Sequence, residues 1–562
     1  MTGIPQLTLA DYESRFAGRR RLHDVVAYWA ARKPDEPALV HHDRGAADTW
    51  REFDEAAARL AAALLDLGFR RGDFLAVSLP FTREQILLEY ACFRIGVIHA
   101  PLDLRLSPEE ALRCIGRIGA AGYVFPGKML GADFGELGKA VGRHCPSVRT
   151  LLQCAPEEET IDGAMSFAEL ARRAGEVGDE GLCRAAAASA AVSETDGAQV
   201  IFTSGSTGAP KPALLTHRSI TVQNMCLGAA FFKEGWRVLV NLPPSHVGGQ
   251  AELLMTTLFT GGTAVVLEIF DAARSLEAIQ KHGVQLIGQI PAMFQLEWRL
   301  SGYGSYDLSS LERAVYGGQP APRPMLEKMR EMAPEIATGL GLTEASGFCT
   351  YTPATGDVDT VARSLGADMP VYRMSIRKAM NEDGTAGAEL PDGEIGHVCF
   401  EGPQTFAGYV NAPEETRKAI STDGVLYTGD LGYRDADGLH LAGRSRWVMK
   451  PRGYQVFPAQ VEEHFLKLSD RVAACGAVGV EHALFTEGIV AFVEKKPEAE
   501  LTVAELKRHA RSLTSYMRPQ HYVILEPGAM PLNRVAKTDY VRLAEMARRE
   551  VERLRAAGQW DR

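Results

Sequence analysis

The sequence predicts an α/β protein with a large N-terminal part, built of several subdomains with mixed sheets and helices, and a smaller, mobile α+β C-terminal domain. Early in the chain, helix-like apolar patterns at 55–67 and 83–96 alternate with short strand-like runs such as 74–79. This alternation is typical of βαβ units around a largely parallel sheet. After residue 446 the pattern changes. The compact segment that follows has helix-like patterns at 458–468, 503–513 and 538–556.

The length and composition are those of a globular protein with more than one domain. A chain of 562 residues exceeds what one hydrophobic core usually organises. Hydrophobic residues make up 46% and charged residues 23%, which is enough apolar material for a large core and a buried pocket. The formal net charge of −10 argues against a nucleic-acid partner, because phosphate backbones are bound by basic surfaces.

The cysteines and the N-terminal residues predict a cytoplasmic location. The nine cysteines include no CxxC motif, and an odd number cannot all pair within one chain, so reduced thiols are expected. The first residues lack a basic segment followed by a long apolar one, so no signal peptide is expected. No window approaches about 18 uninterrupted apolar residues, so no membrane span is expected.

Shorter patterns predict the elements in the middle of the chain. Residues 175–197 are rich in Ala, Ser, Glu and Gly and are expected to be a linker between subdomains. Residues 429–443 combine Gly and Asp with alternating apolar positions, which is typical of hairpins. Strands are expected at 199–203, 238–242 and 264–267.

Residues 201–211 (Ile-Phe-Thr-Ser-Gly-Ser-Thr-Gly-Ala-Pro-Lys) are the most informative segment. A strand-like run leads into a loop whose two glycines let consecutive backbone N–H groups face an anion. Four hydroxyls add donors, and Lys211 adds a compact cation suited to phosphate. This segment is not the GxxxxGK[ST] phosphate-binding loop, because its lysine follows Pro210 instead of a glycine. A flexible Ser/Gly surface loop is the alternative, which the preceding strand and the rigid Pro-Lys end disfavour.

This segment resembles the signature of the acyl-adenylate-forming (AMP-binding) superfamily, and the chain as a whole is most similar to acyl-CoA synthetases of the coumarate-CoA ligase or aryl-CoA ligase type. Pro212 stands where the family has a glycine. The resemblance implies that the loop binds the ATP phosphates through Thr203, Ser204, Gly205, Ser206, Thr207, Gly208 and Lys211.

Two further segments resemble the parts of the family that enclose the acyl group and the adenine. Residues 242–249 (Leu-Pro-Pro-Ser-His-Val-Gly-Gly) match a Pro-x-x-His-x-x-Gly pattern, and residues 316–320 (Tyr-Gly-Gly-Gln-Pro) match a Gly-Gly turn. For a lone histidine, a purely structural role would be the better interpretation. The resemblance implies nucleotide contacts at Gly317, Gly318 and Gln319. It implies an acyl pocket formed by His246, Val247, Gly248, Gly249, Tyr316 and Ala345.

Residues 341–344 (Gly-Leu-Thr-Glu) resemble the family's Gly-x-Thr-Glu motif, which implies nucleotide contacts at Gly341, Leu342 and Thr343. A carboxylate beside a hydroxyl near a triphosphate suits a hard cation, so Glu344 is the predicted Mg²⁺ ligand and a catalytic residue. Leu340 replaces the family's aromatic residue, so apolar contact alone is expected to hold the adenine.

Residues 427–430 (Tyr-Thr-Gly-Asp) resemble the ribose-binding motif. One ionised carboxylate can accept hydrogen bonds from both ribose hydroxyls, which gives Asp430 its predicted role, and a local turn is the alternative. Residues 443–446 (Gly-Arg-Ser-Arg) resemble the interdomain hinge, which implies that Arg444 lies near the ribose or phosphates. Arg446 stands where Asp or Lys is usual in the family.

Residues 450–458 (Lys-Pro-Arg-Gly-Tyr-Gln-Val-Phe-Pro) resemble a Lys-x-x-Gly-Tyr/Phe-Gln-Val-x-Pro segment of coumarate-CoA ligases and luciferases. The resemblance implies a catalytic role for Lys450 and a nucleotide contact for Gln455. It also implies a loop on the coenzyme A side that contains Arg452, Gly453 and Tyr454.

Residues 531–537 (Pro-Leu-Asn-Arg-Val-Ala-Lys) resemble the family's C-terminal Gly-Lys loop, with Ala536 in place of the glycine. The resemblance implies that Lys537 is the lysine of the adenylation step. An ordinary solvated surface lysine would be the better interpretation for any isolated lysine.

The motifs follow in family order along nearly the whole chain and imply a two-step ligase that uses ATP, Mg²⁺ and coenzyme A. The acid would first form an acyl-adenylate and then a thioester. The implied division is an AMP-binding domain at 1–443, a hinge at 444–446 and a mobile domain at 447–562. An aromatic or medium-chain acid is expected rather than an amino acid, because no acidic residue lies between Pro243 and Ala251 to pair an ammonium group, although Glu252 follows directly.

Several alternatives stay open at the sequence level. The chain ends about 25 residues after Lys537, which leaves no room for a fused carrier domain, but a stand-alone enzyme that loads a separate carrier protein would carry the same motifs. A non-catalytic nucleotide-binding homologue and a luciferase-like oxygenase would carry them too. The sequence also leaves a homodimer open.

Overall fold

Helices and strands alternate along the N-terminal part of the chain, as the apolar patterns predict. The computed structural model describes residues 3–203, 210–319, 321–444, 447–454, 456–533 and 537–561. The helices are α1 Leu9–Arg15, α2 Leu22–Ala30, α3 Trp50–Asp66, α4 Arg83–Ile95, α5 Pro108–Ile118, α6 Phe134–His144, α7 Phe167–Gly175, α8 Asp179–Ala191, α9 His217–Phe231, α10 Thr256–Phe259, α11 Ala272–His282, α12 Pro291–Trp298, α13 Arg323–Met332, α14 Val358–Arg363, α15 Pro413–Ala419, α16 Pro458–Leu466, α17 Val503–His509 and α18 Tyr540–Ala556. The strands are β1 Pro37–His41, β2 Ala46–Thr49, β3 Phe74–Val77, β4 Ile98–Pro101, β5 Gly122–Pro126, β6 Lys128–Met129, β7 Ala132–Asp133, β8 Thr150–Cys154, β9 Met165–Ser166, β10 Gly197–Thr203, β11 Lys211–Thr216, β12 Arg237–Val240, β13 Thr263–Val266, β14 Leu286–Gln289, β15 Arg313–Tyr316, β16 Glu335–Ala337, β17 Gly341–Leu342, β18 Gly347–Phe348, β19 Arg373–Arg377, β20 Gly396–Glu401, β21 Gly408–Tyr409, β22 Leu426–Asp435, β23 Gly438–Arg444, β24 Val472–His482, β25 Thr486–Lys495 and β26 His521–Leu525.

Two large sheets with mostly parallel pairing organise the N-terminal part. Their strand orders are β16-β15-β14-β12-β13-β1-β2 and β21-β11-β10-β4-β3-β5-β8-β9. In the first, β2 pairs antiparallel at one edge, and in the second, β11 pairs antiparallel with both β10 and β21. A smaller antiparallel sheet, β19-β20-β22-β23, contains the hairpin predicted at 429–443. The predicted fold class of mixed sheets and helices is therefore confirmed.

The predicted helices form where local signals and apolar periodicity agree. Helix α3 begins after Thr49, whose hydroxyl accepts from the N–H of Glu52 while the Glu52 carboxylate accepts from the N–H of Thr49. This reciprocal cap satisfies backbone donors that the first helical turn leaves unpaired. Helix α4 begins after Thr82 and ends at Gly96, which adopts a left-handed conformation.

The predicted linker at 175–197 is wrong, because most of it is helix α8. Its residues are largely alanine, which has the highest helix propensity, and their abundance outweighs the Ser and Gly that suggested a loop. Gly181 and Ala185 are buried on the face of α8 that packs against α3 and α4.

The C-terminal segment has two hydrophobic clusters of its own, one on each face of the sheet β24-β25-β26. Alternate residues of β25 belong to different clusters: Ile489 and Ala491 face α16 and α17, whereas Val490 and Phe492 face α18. Because strand side chains alternate between faces, this three-layer arrangement follows from the apolar pattern. The proposed domain borders and the mobility of 447–562 stay predictions.

Within the described ranges, no helix is long and apolar enough to cross a membrane.

Candidate active site

The hairpin β10–β11 holds the two ends of the predicted phosphate loop together. Thr203 and Lys211 are cross-strand partners. The loop residues Ser204, Gly205, Ser206, Thr207 and Gly208 lie outside the described residues. The Lys211 Nζ lies 2.5 Å from Oε2 of Glu415, at the start of α15, and 5.3 Å from the centre of the Tyr409 ring. This hydrogen bond from Lys211 lowers the pKa of Glu415.

Glu344 faces the same cavity as Lys211. It lies in the 3₁₀ turn Thr343–Ala345, between β17 and β18, and its Oε1 accepts from the hydroxyl of Tyr409 at 2.6 Å. The cavity measures about 250 Å³, and Lys211, Leu342, Glu344, Tyr409, Glu415 and Thr428 are among the residues that line it.

The donor set at Glu344 suits a cation that is held partly by phosphate. In the described part of the chain, no three His, Cys, Asp or Glu side chains cluster as a metal site. Mg²⁺ is commonly bound by one or two carboxylates together with substrate phosphates and water, so a single carboxylate facing this cavity fits it. The residues present are thus compatible with the predicted ligand.

Asp430 and Arg444 face each other across the hairpin β22–β23. They are cross-strand partners, and the Arg444 Nε lies 2.7 Å from Oδ1 of Asp430. The Asp430 side chain is buried, whereas that of Arg444 is half-exposed. Burial raises the pKa of Asp430, and the charges of Arg444 and Lys537 oppose that rise. A buried carboxylate beside a guanidinium offers strong hydrogen-bond acceptors, as the predicted ribose contact requires.

The C-terminal segment places Lys537 in this N-terminal site. The Lys537 Cε lies 3.8 Å from the position that a Cβ on Gly318 would occupy. The Lys537 N–H donates to Oδ1 of Asn533 at 3.0 Å, and its carbonyl accepts from the Asn533 N–H at 2.7 Å, which orders the backbone at the lysine. Burial and the charge of Arg444 lower the pKa of Lys537, while Asp430 and Glu252 oppose that shift.

The predicted acyl side begins at a π-helix, Gly248–Met255, that directly follows His246 and Val247. A Cβ on Gly249 would lie 2.4 Å from the carbonyl oxygen of Pro243, so only glycine fits this close approach. The His246 Nε2 is buried without a hydrogen-bond partner among the described residues, and burial lowers the pKa of this imidazole. Short π-helical segments are frequent at functional sites.

The Gly-Gly turn follows β15 and lies against β18. Tyr316 is buried, and its carbonyl accepts from the hydroxyl of Thr338 at 2.8 Å. A Cβ on Gly317 would lie 3.2 Å from the Phe348 ring, and Gly318 has a φ of +82°. Gln319 follows in the same turn, and Ala345 is fully buried.

Glu252 lies on the π-helix, and its charge acts on Lys537, an interaction that no motif predicts. Its carboxylate accepts from the Phe348 N–H, and burial raises its pKa to about 8 although the charge of Lys537 opposes this. Its one signal in the sequence is a carboxylate inside the apolar run Ala251–Met255. Glu415 and Tyr409 gave no such signal, because both are ordinary residues far from the motifs they contact.

The structure does not bring Lys450 and the predicted coenzyme A loop into this cluster. Lys450 is exposed, and its N–H donates to Oε2 of Glu487 at 2.5 Å. Arg452 has a φ of +56° and lies over the Phe485 ring, and the exposed Tyr454 stacks on Tyr516 with ring centres 4.3 Å apart. Gly453 lies between them, and Gln455, Ser445 and Arg446 lie outside the described residues.

Comparisons with known proteins agree with this geometry. The family model described as AMP-binding enzyme matches residues 26–410, and the one described as AMP-binding enzyme C-terminal domain matches residues 460–537. The chain belongs to the AMP-binding enzyme family. It is an AMP-forming acid–thiol ligase, which activates a carboxylic acid as an acyl-adenylate and then forms a thioester with coenzyme A.

Similar proteins in this family include several named CoA ligases. A 3-[(3aS,4S,7aS)-7a-methyl-1,5-dioxo-octahydro-1H-inden-4-yl]propanoyl:CoA ligase from Mycobacterium tuberculosis is 30% identical over 525 residues, which cover 91% of this chain and 96% of the relative. A 4-coumarate–CoA ligase 5 from Oryza sativa subsp. japonica is 27% identical and covers 88% of this chain and 89% of its own length. The crystal structure of ATP-bound MatB from Rhodopseudomonas palustris shares the fold, with a TM-score of 0.79 at 22% identity over 94% of this chain and 99% of that one.

Proposed function

We propose that the acid and ATP react between the cavity lined by Lys211 and Glu344 and the neighbouring side chains of Asp430 and Lys537. The observation that carries this assignment is the position of Lys537, which comes from the C-terminal segment yet lies beside Gly318, near Asp430 and Arg444. A buried cation near a buried carboxylate suits a ligand that brings both ribose hydroxyls and phosphate charge.

In the first step, the carboxylate of the acid attacks the α-phosphorus of ATP and pyrophosphate leaves. The nucleophile is already an anion at neutral pH, so no general base is needed. The protein must position the reactants and neutralise the charge that spreads over the phosphoryl oxygens. Lys537 neutralises this charge at the reacting end. Lys211 and residues 204–208 neutralise it at the phosphate loop. Glu344 would hold Mg²⁺, which supplies further positive charge on the phosphates.

The contacts of Lys211 indicate how the charge of this lysine is balanced. Glu415 holds the lysine by a hydrogen bond of 2.5 Å at the wall of the cavity. Phosphate oxygens compete with this carboxylate for the same ammonium group. Nucleotide binding therefore exchanges one anionic partner of Lys211 for another.

The second step needs a different arrangement of the C-terminal domain. Lys450, Arg452, Gly453, Tyr454 and Gln455 belong to the side of that domain assigned to coenzyme A. We assign residues 1–443 to the AMP-binding domain, 444–446 to the hinge and 447–562 to the mobile domain. Rotation about the hinge would withdraw Lys537 and present the loop at 450–455, which keeps the adenylate away from water between the steps.

The substrate we assign is a carboxylic acid of modest size, aromatic or medium-chain, with the reaction in the cytoplasm. Gly318 carries no side chain beside Lys537, and we assign to the buried Tyr316 the role of limiting the depth of the pocket. Loading of a carrier protein and nucleotide binding without catalysis are the alternative functions against which this one is tested.

One experiment separates these functions. AMP formation and ATP–pyrophosphate exchange would be measured across a panel of carboxylic acids, with and without coenzyme A. We expect exchange with the acid alone and stoichiometric AMP and thioester when coenzyme A is added, with one ¹⁸O passing from a doubly labelled carboxylate into AMP. Exchange without thioester would favour a carrier protein, and no exchange with any acid would contradict the proposal.

A further inference from the structure

A buried amide donor lies beside the acyl side of the site without a partner. Gln223 is on α9 and is fully buried, and its Oε1 accepts from Nδ2 of Asn224 at 2.8 Å. That contact, together with hydrogen bonds from the same Nδ2 group to the Ala251 carbonyl and Thr256, fixes which end of the Gln223 amide is oxygen. The Nε2 end therefore points away from Asn224, and it has no hydrogen-bond partner among the described residues.

Glu252 approaches the same place from the π-helix. The Gln223 Nε2 and the Glu252 Cγ each lie 3.0 Å from the point that a Cβ on Gly347 would occupy. The carboxyl oxygens lie near two more glycines, with Oε1 3.0 Å from the Cβ position of Gly341 and Oε2 3.4 Å from that of Gly248. Three glycines therefore lie around the Glu252 side chain. The residue is partly accessible to solvent.

Polar atoms without partners recur along this wall. The Gln250 side chain, on the same π-helix, is fully buried with both amide atoms unpaired among the described residues, and so is Nε2 of the preceding His246. Leaving a buried donor or acceptor unpaired is energetically costly, so such groups usually meet water or a ligand. A hydrocarbon group beside the Gln223 Nε2 would leave this donor unpaired, whereas an oxygen on the acid would accept from it.

We propose that Gln223 and Glu252 determine specificity by hydrogen bonding a second oxygen function, a carbonyl or hydroxyl, on the acyl group of the substrate. The inference rests on the proposed function, because it takes the space beside Lys537 as the acyl pocket. It narrows the expected aromatic or medium-chain acid to one that carries an oxo or hydroxyl group.

The charges around the pocket favour an oxygen over an ammonium group. The Gln223 Nε2 is a donor, and Lys537 and Arg444 are cations that act on the same region. Burial raises the pKa of Glu252 to about 8, so at neutral pH its carboxyl is mostly protonated and donates as well. A donor at the Gln223 Nε2 matches an acceptor oxygen and disfavours a cation.

The test compares matched acids of one skeleton: 3-cyclohexylpropanoic acid and its ring-oxo, ring-hydroxy and ring-amino derivatives. The full-length protein would be assayed for AMP formation with ATP and coenzyme A, and kcat/KM determined for each acid. We expect the oxo or hydroxy acid to exceed the hydrocarbon acid by about 10–10²-fold, because a site with polar groups penalises a ligand that leaves them unpaired. Gln223→Met and Glu252→Leu should each reduce that ratio by about tenfold or more.

Gln85→Met is the matched control, because Gln85 is equally buried but lies on α4, outside this pocket. It should leave the ratio between the oxo and hydrocarbon acids unchanged, and thermal melting would confirm that each variant is folded. The wild-type protein alone already tests the inference. If its kcat/KM values for the oxo and hydrocarbon acids were nearly equal, the inference would be overturned, and activity with both acids would still support the proposed function. Preference for the amino derivative would also overturn the inference. No AMP with any acid would contradict the proposed function and this inference with it.

Discussion

Two lysines of the C-terminal segment have opposite surroundings, although the family resemblance implies chemistry for both. Lys537 is largely enclosed by N-terminal residues, and burial lowers its pKa. Lys450 is exposed, and its N–H donates to Glu487 of its own segment. On the proposed mechanism, this arrangement is that of the first half-reaction, and the second would need the other face of the C-terminal segment to reach the site.

The largest expected effect is on the buried lysine. Lys537→Ala should lower ATP–pyrophosphate exchange by about 10²–10³-fold, because it removes a preorganised charge from the reacting phosphoryl group. Stopped-time assays with labelled pyrophosphate would measure the loss. An exchange rate within a factor of two or so of the wild type would place Lys537 outside the chemistry of the first step.

Lys450→Ala should show the opposite bias. Acyl-adenylate formation should persist, whereas thioester formation from supplied acyl-adenylate and coenzyme A should fall by about 10–10²-fold, since one positioned polar contact is lost. Chromatography of the thioester would measure it. If both steps fell equally, the two lysines would not divide the reaction between them.

The pKa of Lys537 predicts how adenylate formation depends on pH. Because burial lowers this pKa below the ordinary lysine value of 10.5, the charge needed for the first step is lost at a lower pH than for an exposed lysine. The exchange rate should therefore decline by about tenfold per pH unit on an alkaline limb. Lys537→Arg should remove the limb, because arginine stays protonated.

Lys467→Arg is the control for this profile, since Lys467 is exposed on the same segment. It should keep the alkaline limb of the wild type. A limb that is identical in the wild type and in Lys537→Arg would show that some other group titrates.

The smallest expected effect concerns the carboxyl group that faces Lys537. The pKa of Glu252 is raised from 4.5 to about 8, so the folded state favours the protonated form. Its contribution to stability is complete below the unfolded pKa and is lost as pH rises through about 8. As the pH rises from 5 to 9, the unfolding free energy of Glu252→Gln should therefore increase by about 1–3 kcal/mol relative to that of the wild type.

Urea unfolding at the two pH values would measure this difference. A stability difference that stayed constant with pH would mean that Glu252 keeps its charge in the folded protein. The Lys537 charge would then have a permanent ionised partner.

Much of the fold followed from local signals in the sequence. Helices α3 and α4 have apolar periodicity and capping residues that agree, and β10 runs directly into a loop whose composition marks its role. Helix α8 was missed because its alanines lack an apolar stripe of large side chains, and the tight packing of Ala185 on neighbouring helices is visible only in three dimensions.

The site was predictable where residues lie within motifs and not where contacts join distant segments. Asp430, Arg444 and Lys537 lie together as their motifs imply. The partners of Lys211 and Glu344, however, are Glu415 and Tyr409, which pattern alone does not distinguish from other surface residues. The unpaired Nε2 of Gln223 results from its surroundings, which are Asn224, the hairpin β17–β18 at Gly347 and the π-helix. The hairpin and the π-helix are distant from Gln223 in the sequence, so no single stretch of sequence predicts this feature.

The proposal that the two lysines serve different steps is tested most directly by supplying the acyl-adenylate intermediate to the Lys537→Ala variant. Synthetic acyl-adenylate and coenzyme A would be mixed with this variant, and thioester formation followed in a single turnover. We predict a rate within about twofold of the wild type, because Lys537 stabilises charge only in the first step. A loss as large as that in pyrophosphate exchange would contradict the account.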